Sequence, residues 1–239
     1  MYRFFIDDSN LKDNEIFLYG EDFHHAKNVL RLNLGENLEL VCGDVLYFGE
    51  VSEITKEDLI IKIMSKEVLK EKLTTIRMFQ GLPKGDKFEY IIQKAVELGV
   101  DEIIPFESER TIVKYKEKSY SKKQVRYEKI IKAAAMQSKR NHIPKLHLPI
   151  SFDQIKKSEM GLGLLAFEAS EKPLKNLLRD KKDIREIDIV IGPEGGFSQK
   201  EVSSLGNQGF YSISLGKRIL RTETASLNLL SIIGYELER

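Results

Sequence analysis

Ile191-Gly192-Pro193-Glu194-Gly195-Gly196-Phe197-Ser198 and, further on, Leu215-Gly216-Lys217-Arg218-Ile219-Leu220-Arg221-Thr222-Glu223-Thr224-Ala225 are the stretches whose reading decides the fold. Each follows a short apolar run of buried-strand length, Ile187 to Ile191 and Tyr211 to Leu215, and each leads into residues with helical spacing. Two strand-to-helix turns of this kind bring bare backbone to one edge of a sheet. Ser198 and Glu201 form a capping-box pair, which specifies where the first helix starts. Pro193 stiffens the first turn while Gly195 and Gly196 free it, a combination that a plain connection does not need. A glycine-lined pocket rich in backbone amides is the local expectation.

Such a pocket has three readings: an anion site at a helix N-terminus, a tight turn with no ligand, or a cofactor pocket whose backbone reads an adenine edge. No Lys-Ser or Lys-Thr follows the glycines, so a Walker-type nucleotide site is not indicated. Gly161-Leu162-Gly163 precedes a strand instead of following one, which argues against a Rossmann fingerprint. Arg218, Arg221 and Glu223 surround the second turn. They could hold or stabilise charge on an oxygen, or form an ion pair at the start of the last helix.

Working outward, residues 74 onward alternate apolar strands with helices: Ile76 to Gln80 then Lys87 to Leu98, Glu102 to Pro105 then Lys122 to Arg140, and Leu162 to Phe167 then Pro173 to Leu178. This rhythm predicts an α/β domain with a mostly parallel sheet and helices on both faces. Residues 1 to 70 read differently. Short β-prone runs, Tyr2 to Ile6, Glu15 to Tyr19, Leu38 to Val41, Leu46 to Ile54 and Leu59 to Met64, surround one helical stretch from Asp22 to Leu30. A small β-barrel or sandwich is expected there. The domain boundary falls in the charged bridge Ser65 to Lys72, giving 1–70 and 71–239.

The net charge of +1 conceals an asymmetry, because residues 1–70 hold 8 Lys/Arg against 14 Asp/Glu while Arg110 to Lys145 holds 12 against 2. That segment is either a footprint for a polyanion or a solvated helix face. Cys42 is the only cysteine, so no intrachain disulfide and no cysteine zinc site can form, and it reads as a small buried hydrophobe in a strand. The four histidines, His24, His25, His142 and His147, lack metal-triad spacing. With no h-region at the start and no membrane-length apolar run, a cytoplasmic protein is expected.

The two C-terminal motifs together closely resemble the signature of the bacterial family that methylates N3 of a uridine in 16S ribosomal RNA. Lys84-Gly85-Asp86-Lys87, Ile92-Gln93-Lys94-Ala95 with Glu97-Leu98-Gly99-Val100, Gln137-Ser138 with Arg140, and the opening Arg3-Phe4-Phe5 with His25 and Val29-Leu30-Arg31 extend the resemblance over the whole chain. One departure is Met136-Gln137-Ser138-Lys139-Arg140, where the family more often has Glu before the Gln and Gly before the Arg. The resemblance implies a C-terminal SPOUT methyltransferase domain with a deep trefoil knot, preceded by a PUA-like β-barrel, acting as a homodimer on 16S RNA or the assembled 30S subunit with no membrane. S-adenosyl-L-methionine is the implied cofactor, no metal is required, and by motif position its pocket takes Leu165, Phe167, Gly192, Glu194, Gly195, Gly196, Leu215, Gly216, Ile219, Leu220 and Ala225. Arg221 is the expected charge-stabilising or orienting residue, Glu223 or Glu194 the expected proton acceptor. Arg3, Lys27, Arg31, Lys84, Lys87, Arg110 and Arg140 are the expected RNA contacts. Another RNA target, or an RNA-binding module with an inactive methyltransferase domain, are the competing readings.

Overall fold

A computed structural model describes residues 1–70, 73–112, 117–179 and 184–237. The chain forms two compact units, one of Met1–Glu71 with Ala135–Ile143 and one of Lys72–Ala134 with Pro144–Arg239. Lys114 and Lys116 of the basic segment lie outside the described residues.

The first unit is built on six strands: β1 (Tyr2–Phe5), β2 (Leu11–Lys12), β3 (Glu15–Tyr19), β4 (Asn37–Cys42), β5 (Val45–Ile54) and β6 (Asp58–Val68). Their order is β1-β4-β5-β6-β3-β2, antiparallel except for the parallel pair β1 and β4. Alternation puts Ile16 and Leu18 of β3, and Leu59 and Ile61 of β6, into one core with Phe4, Leu38 and Leu40. The helical stretch expected from Asp22 to Leu30 is a short helix α1 (Gly20–His24) that continues as a π-turn over His25–Val29 and ends at Arg31, which takes a left-handed φ of 54°. Cys42 is half-buried, not core, and its Sγ lies 3.5 Å from Asp8 Oδ1. Burial, then that carboxylate, push the thiol up, away from the thiolate form.

In the second unit the strands β7 (Thr75–Gly81), β8 (Glu102–Glu107), β9 (Lys145–Leu146), β10 (Ile150–Ser151), β11 (Leu162–Ala166), β12 (Glu186–Ile191) and β13 (Phe210–Ile213) form one sheet. Every pairing is parallel, in the order β10-β8-β7-β12-β11-β13 with β9 beside β8. Phe79, Leu165, Val190, Phe197 and Leu205 cluster on one face, and Met78, Ile103, Leu164 and Ile189 are equally buried on the other. Burial on both faces is why these strands read as continuous apolar runs and not as alternations. The helices are α2 (Lys87–Glu97), α3 (Glu117–Gln137), α4 (Leu174–Arg179), α5 (Gln199–Asn207) and α6 (Thr222–Leu237). α2 buries Phe88, Ile91, Ile92, Ala95 and Val96, a single stripe at helical spacing, and packs on α6.

Candidate cofactor cavity

Because β11, β12 and β13 are adjacent and parallel, their carboxyl ends emerge along one edge of the sheet. Both glycine turns and the residues after β11 therefore converge, and between them lies a cavity of about 420 Å³. That is within the roughly 300–1,000 Å³ typical of small-molecule pockets, at the strand ends where open α/β sheets take their ligands.

The first turn is held from several sides. Gly196 N–H donates to Pro193 O at 2.9 Å, and Gly196 takes a φ of 64°, which glycine adopts without cost. Phe197 turns back into the core beside Phe106, their rings parallel to within 11°. Ser198 caps α5 as its sequence indicates: its amide donates to Glu201 Oε2 at 2.8 Å, and its hydroxyl accepts from the Glu201 amide. Glu201 does more than close the box. Its second oxygen accepts the Glu109 amide at 2.9 Å, binding the loop after β8 to the turn, and the neighbouring Arg110 donates to Gly195 O at 3.2 Å. After an isolated bridge at Ser214, the second turn runs without regular structure from Leu215 to Arg221, and α6 begins at Thr222, beside the Glu223 that the sequence puts near the helix start.

Phe167, Gly192, Glu194, Gly195, Gly196, Leu215, Gly216, Ile219, Leu220 and Ala225 all line the cavity. Leu165 does not. It is fully buried in the core cluster inside the strand, and the cavity is reached only at the strand's carboxyl end, by Ala166 and Phe167. Lys87, Ala166, Glu168, Arg218 and Thr222 line it as well. Glu168 and Thr222 could have been suspected only from their place just beyond a strand end and just inside a helix start.

Glu194 accepts Lys87 Nζ at 2.9 Å and the Lys84 amide at 3.1 Å. Burial would push its carboxyl up, but the Lys87 ammonium and the backbone amides outweigh that and hold it below its ordinary value. A carboxylate held ionised in this way is a poor proton acceptor. Glu223 Oε2 is buried and accepts no hydrogen bond, with the Lys87 ammonium 3.8 Å away, although Glu223 does not line the cavity. Arg221 lines it with its side chain exposed.

The expected RNA contacts divide. Lys27, Arg31, Lys84 and Arg110 are exposed, and Arg140 is half-buried with a guanidinium nitrogen 3.1 Å from His142 Nε2. Lys87 is drawn into the cavity wall by Glu194. Arg3 is a correction: it is only 7% exposed, pairs with Glu39 at 2.8 Å, and donates to Lys139 O, Arg140 O and Asn141 Oδ1. Buried and bonded inside the first unit, its guanidinium is not presented to a phosphate at the surface.

Family models match the two units in turn, an RNA methyltransferase PUA domain over residues 18–64 and an RNA methyltransferase domain over residues 70–234. Over its full length the chain is 35% identical to the ribosomal RNA small subunit methyltransferase E of Bacillus subtilis strain 168, covering 100% of this chain and 98% of that one. The chain belongs to the ribosomal RNA small subunit methyltransferase E family. Another member, from Mesomycoplasma hyopneumoniae strain 232, is 36% identical over 97% of this chain and 98% of its own. A crystal structure of the family member from Neisseria gonorrhoeae bound to S-adenosyl methionine superimposes with a TM-score of 0.86 at 29% identity, covering 98% of this chain and 97% of that one. The PUA match falls within the first unit, and the methyltransferase match takes in the parallel sheet. Among the described residues no helix is long and apolar enough to cross a membrane, and no cluster of His, Cys, Asp and Glu could hold a metal ion.

Proposed function

We propose that this protein transfers a methyl group from S-adenosyl-L-methionine to N3 of a uridine in the 16S RNA of the small ribosomal subunit. The observation that carries the reading is the convergence of both glycine turns on one cavity, in a chain that matches the family from end to end. The cavity suits the cofactor: it is of small-molecule size, four glycines of the two turns line it, and Phe167, Leu215 and Leu220 add apolar side chains. Gly192, Gly195, Gly196, Leu215, Gly216, Ile219, Leu220 and Ala225 would hold the nucleoside and methionine parts. Bound there, S-adenosylmethionine supplies a methyl group on positively charged sulfur.

Uracil N3 carries a proton at neutral pH, and its loss leaves negative charge spread over O2 and O4. Arg221 is placed at the cavity to orient the base and stabilise that charge. Of the two carboxylates, Glu223 keeps an oxygen free of donors, whereas Glu194 is committed to Lys87 and Lys84 and fixes the turn. Glu194 lines the cavity and Glu223 carries the uncommitted oxygen without lining it, so both stand as candidate proton acceptors. Lys27 and Arg31 of the PUA unit, and Arg110 with the basic face of α3, are the proposed phosphate contacts.

The proposal includes the division at residues 70 and 71 into RNA-binding and methyltransferase domains, the trefoil knot, a homodimer in solution, and a cytoplasmic location with 16S RNA or the 30S subunit as substrate. The sheet order, with late β12 between β7 and β11, supports a knotted path. Calorimetry with S-adenosylmethionine tests the cavity directly, and single-turnover methylation by Arg221→Ala at saturating cofactor tests the chemistry. No detectable binding, or a wild-type rate from that variant, would overturn the respective part.

A further inference from the structure

Gln80 is fully buried at the end of β7, and all of its polar atoms are used. Its amide nitrogen donates to Gly81 O at 2.9 Å and to Thr222 Oγ1 at 3.0 Å, while its oxygen accepts Ser226 Oγ at 2.7 Å. Gly81 O can only accept, so the amide orientation is fixed. Thr222, having accepted from Gln80, spends its own hydroxyl proton on Gly192 O at 2.7 Å. One buried chain of hydrogen bonds thus runs from the centre of the sheet to the start of α6 and on to the first residue of the glycine turn after β12. Backbone packing reinforces it. A Cβ on Gly81 would lie 2.5 Å from Pro193 N and 2.6 Å from Pro193 Cδ, so β7 ends directly against the turn.

Burying an amide and two hydroxyls costs free energy unless each is satisfied, and a satisfied network specifies one arrangement of the parts that it joins. The parts joined here are the two turns that line the cavity: Gly192 and Thr222 both face it, and Gln80 does not. We infer that Gln80 is a positioning residue, acting through Thr222 to set the separation of the two cofactor turns and so the affinity for S-adenosylmethionine. The inference rests on the cofactor reading above.

The test compares wild type with Gln80→Met, which keeps the side-chain length without its hydrogen bonds, and with Thr222→Val and Thr222→Ser, which remove and keep the hydroxyl. S-adenosylmethionine affinity by calorimetry, KM for each substrate and thermal stability are measured for all. Gln80→Met and Thr222→Val should each weaken cofactor binding on the order of tenfold, as when a buried hydrogen-bonding group loses its partner. KM for RNA should be unchanged and Thr222→Ser should bind within about twofold of wild type. Should one of the two fail to fold, the other breaks the same chain and carries the test. Wild-type affinity in a folded Gln80→Met, or an equal rise in both KM values, would overturn the inference alone. A wild-type protein that takes up no cofactor would instead overturn the functional reading.

Discussion

Replacing Arg3 with methionine removes one buried cation and leaves four groups short of a donor. In the folded first unit the Arg3 guanidinium reaches Glu39 at 2.8 Å and 2.9 Å, the carbonyls of Lys139 and Arg140 at 2.7 Å and 3.0 Å, and Asn141 Oδ1 at 2.9 Å. Glu39 is itself only 9% exposed on its side chain. Breaking a buried ion pair typically costs about 3–5 kcal/mol, and the lower end, about 3 kcal/mol, applies here because Lys139 Nζ still neutralises Glu39. That remaining bond, 2.8 Å long, comes from a side chain 51% exposed, so solvent screens it and it does not replace Arg3. At about 1.4 kcal/mol per tenfold, the loss corresponds to roughly a hundredfold fall in protection. Hydrogen exchange read by mass spectrometry on peptides covering β1, β4 and residues 135–143 measures it region by region. Arg3→Lys should rescue little, since an ammonium cannot reproduce the fork. Protection within about threefold of wild type in Arg3→Met, or full rescue by lysine, would refute the structural role and return Arg3 to the RNA surface.

The same cluster sets an acid limit. Burial would raise the Glu39 carboxyl, but Lys139 and Arg3 outweigh it and hold the group low. Its contribution to stability is therefore present above the ordinary carboxylate pKa of about 4.3 and lost as pH falls through that value toward the folded one. Exchange protection in β1 and β4 should drop across that window, and less in Glu39→Gln. Glu194→Gln should weaken cofactor affinity while leaving the acidic limb of the pH–rate profile in place, because that carboxyl is already ionised there; a shifted limb would identify Glu194 as the base. Gly81→Ala must displace the turn at Pro193 and should abolish measurable cofactor binding in a folded protein, with binding near wild type contradicting the packing. Leu165→Ala should cost about 2–5 kcal/mol in denaturant unfolding, as for a fully buried leucine, and not the smaller loss expected of a pocket-lining side chain.

Local signals in the sequence were the ones that could be read. The capping box at Ser198 and Glu201, the turn at Gly195 and Gly196, and the apolar run into β12 depend on residues a few positions apart, and each is found where its chemistry places it. Leu165 shows how narrow the margin is: it still lies within the strand and the core, and the cavity wall begins one residue on, at Ala166 where the strand ends. Arg3 was unreadable for the opposite reason, since its partners at 139, 140 and 141 lie far along the chain and join the first unit only after folding. Lys139 belongs with them. Its φ of 55° is the left-handed conformation that a non-glycine residue seldom takes, and its Nζ reaches Glu39 at 2.8 Å. The order of β7, β12 and β11, and the buried Gln80 chain that it permits, likewise follow from long-range pairing that no local period encodes.

Mass spectrometry of 16S RNA from cells with the gene deleted tests the proposed reaction most directly. N3-methyluridine should disappear from the 16S RNA and return when the wild-type gene, but not the Arg221→Ala form, is restored. Persistence of N3-methyluridine in the deletion strain would contradict the assignment of this chain to that methylation.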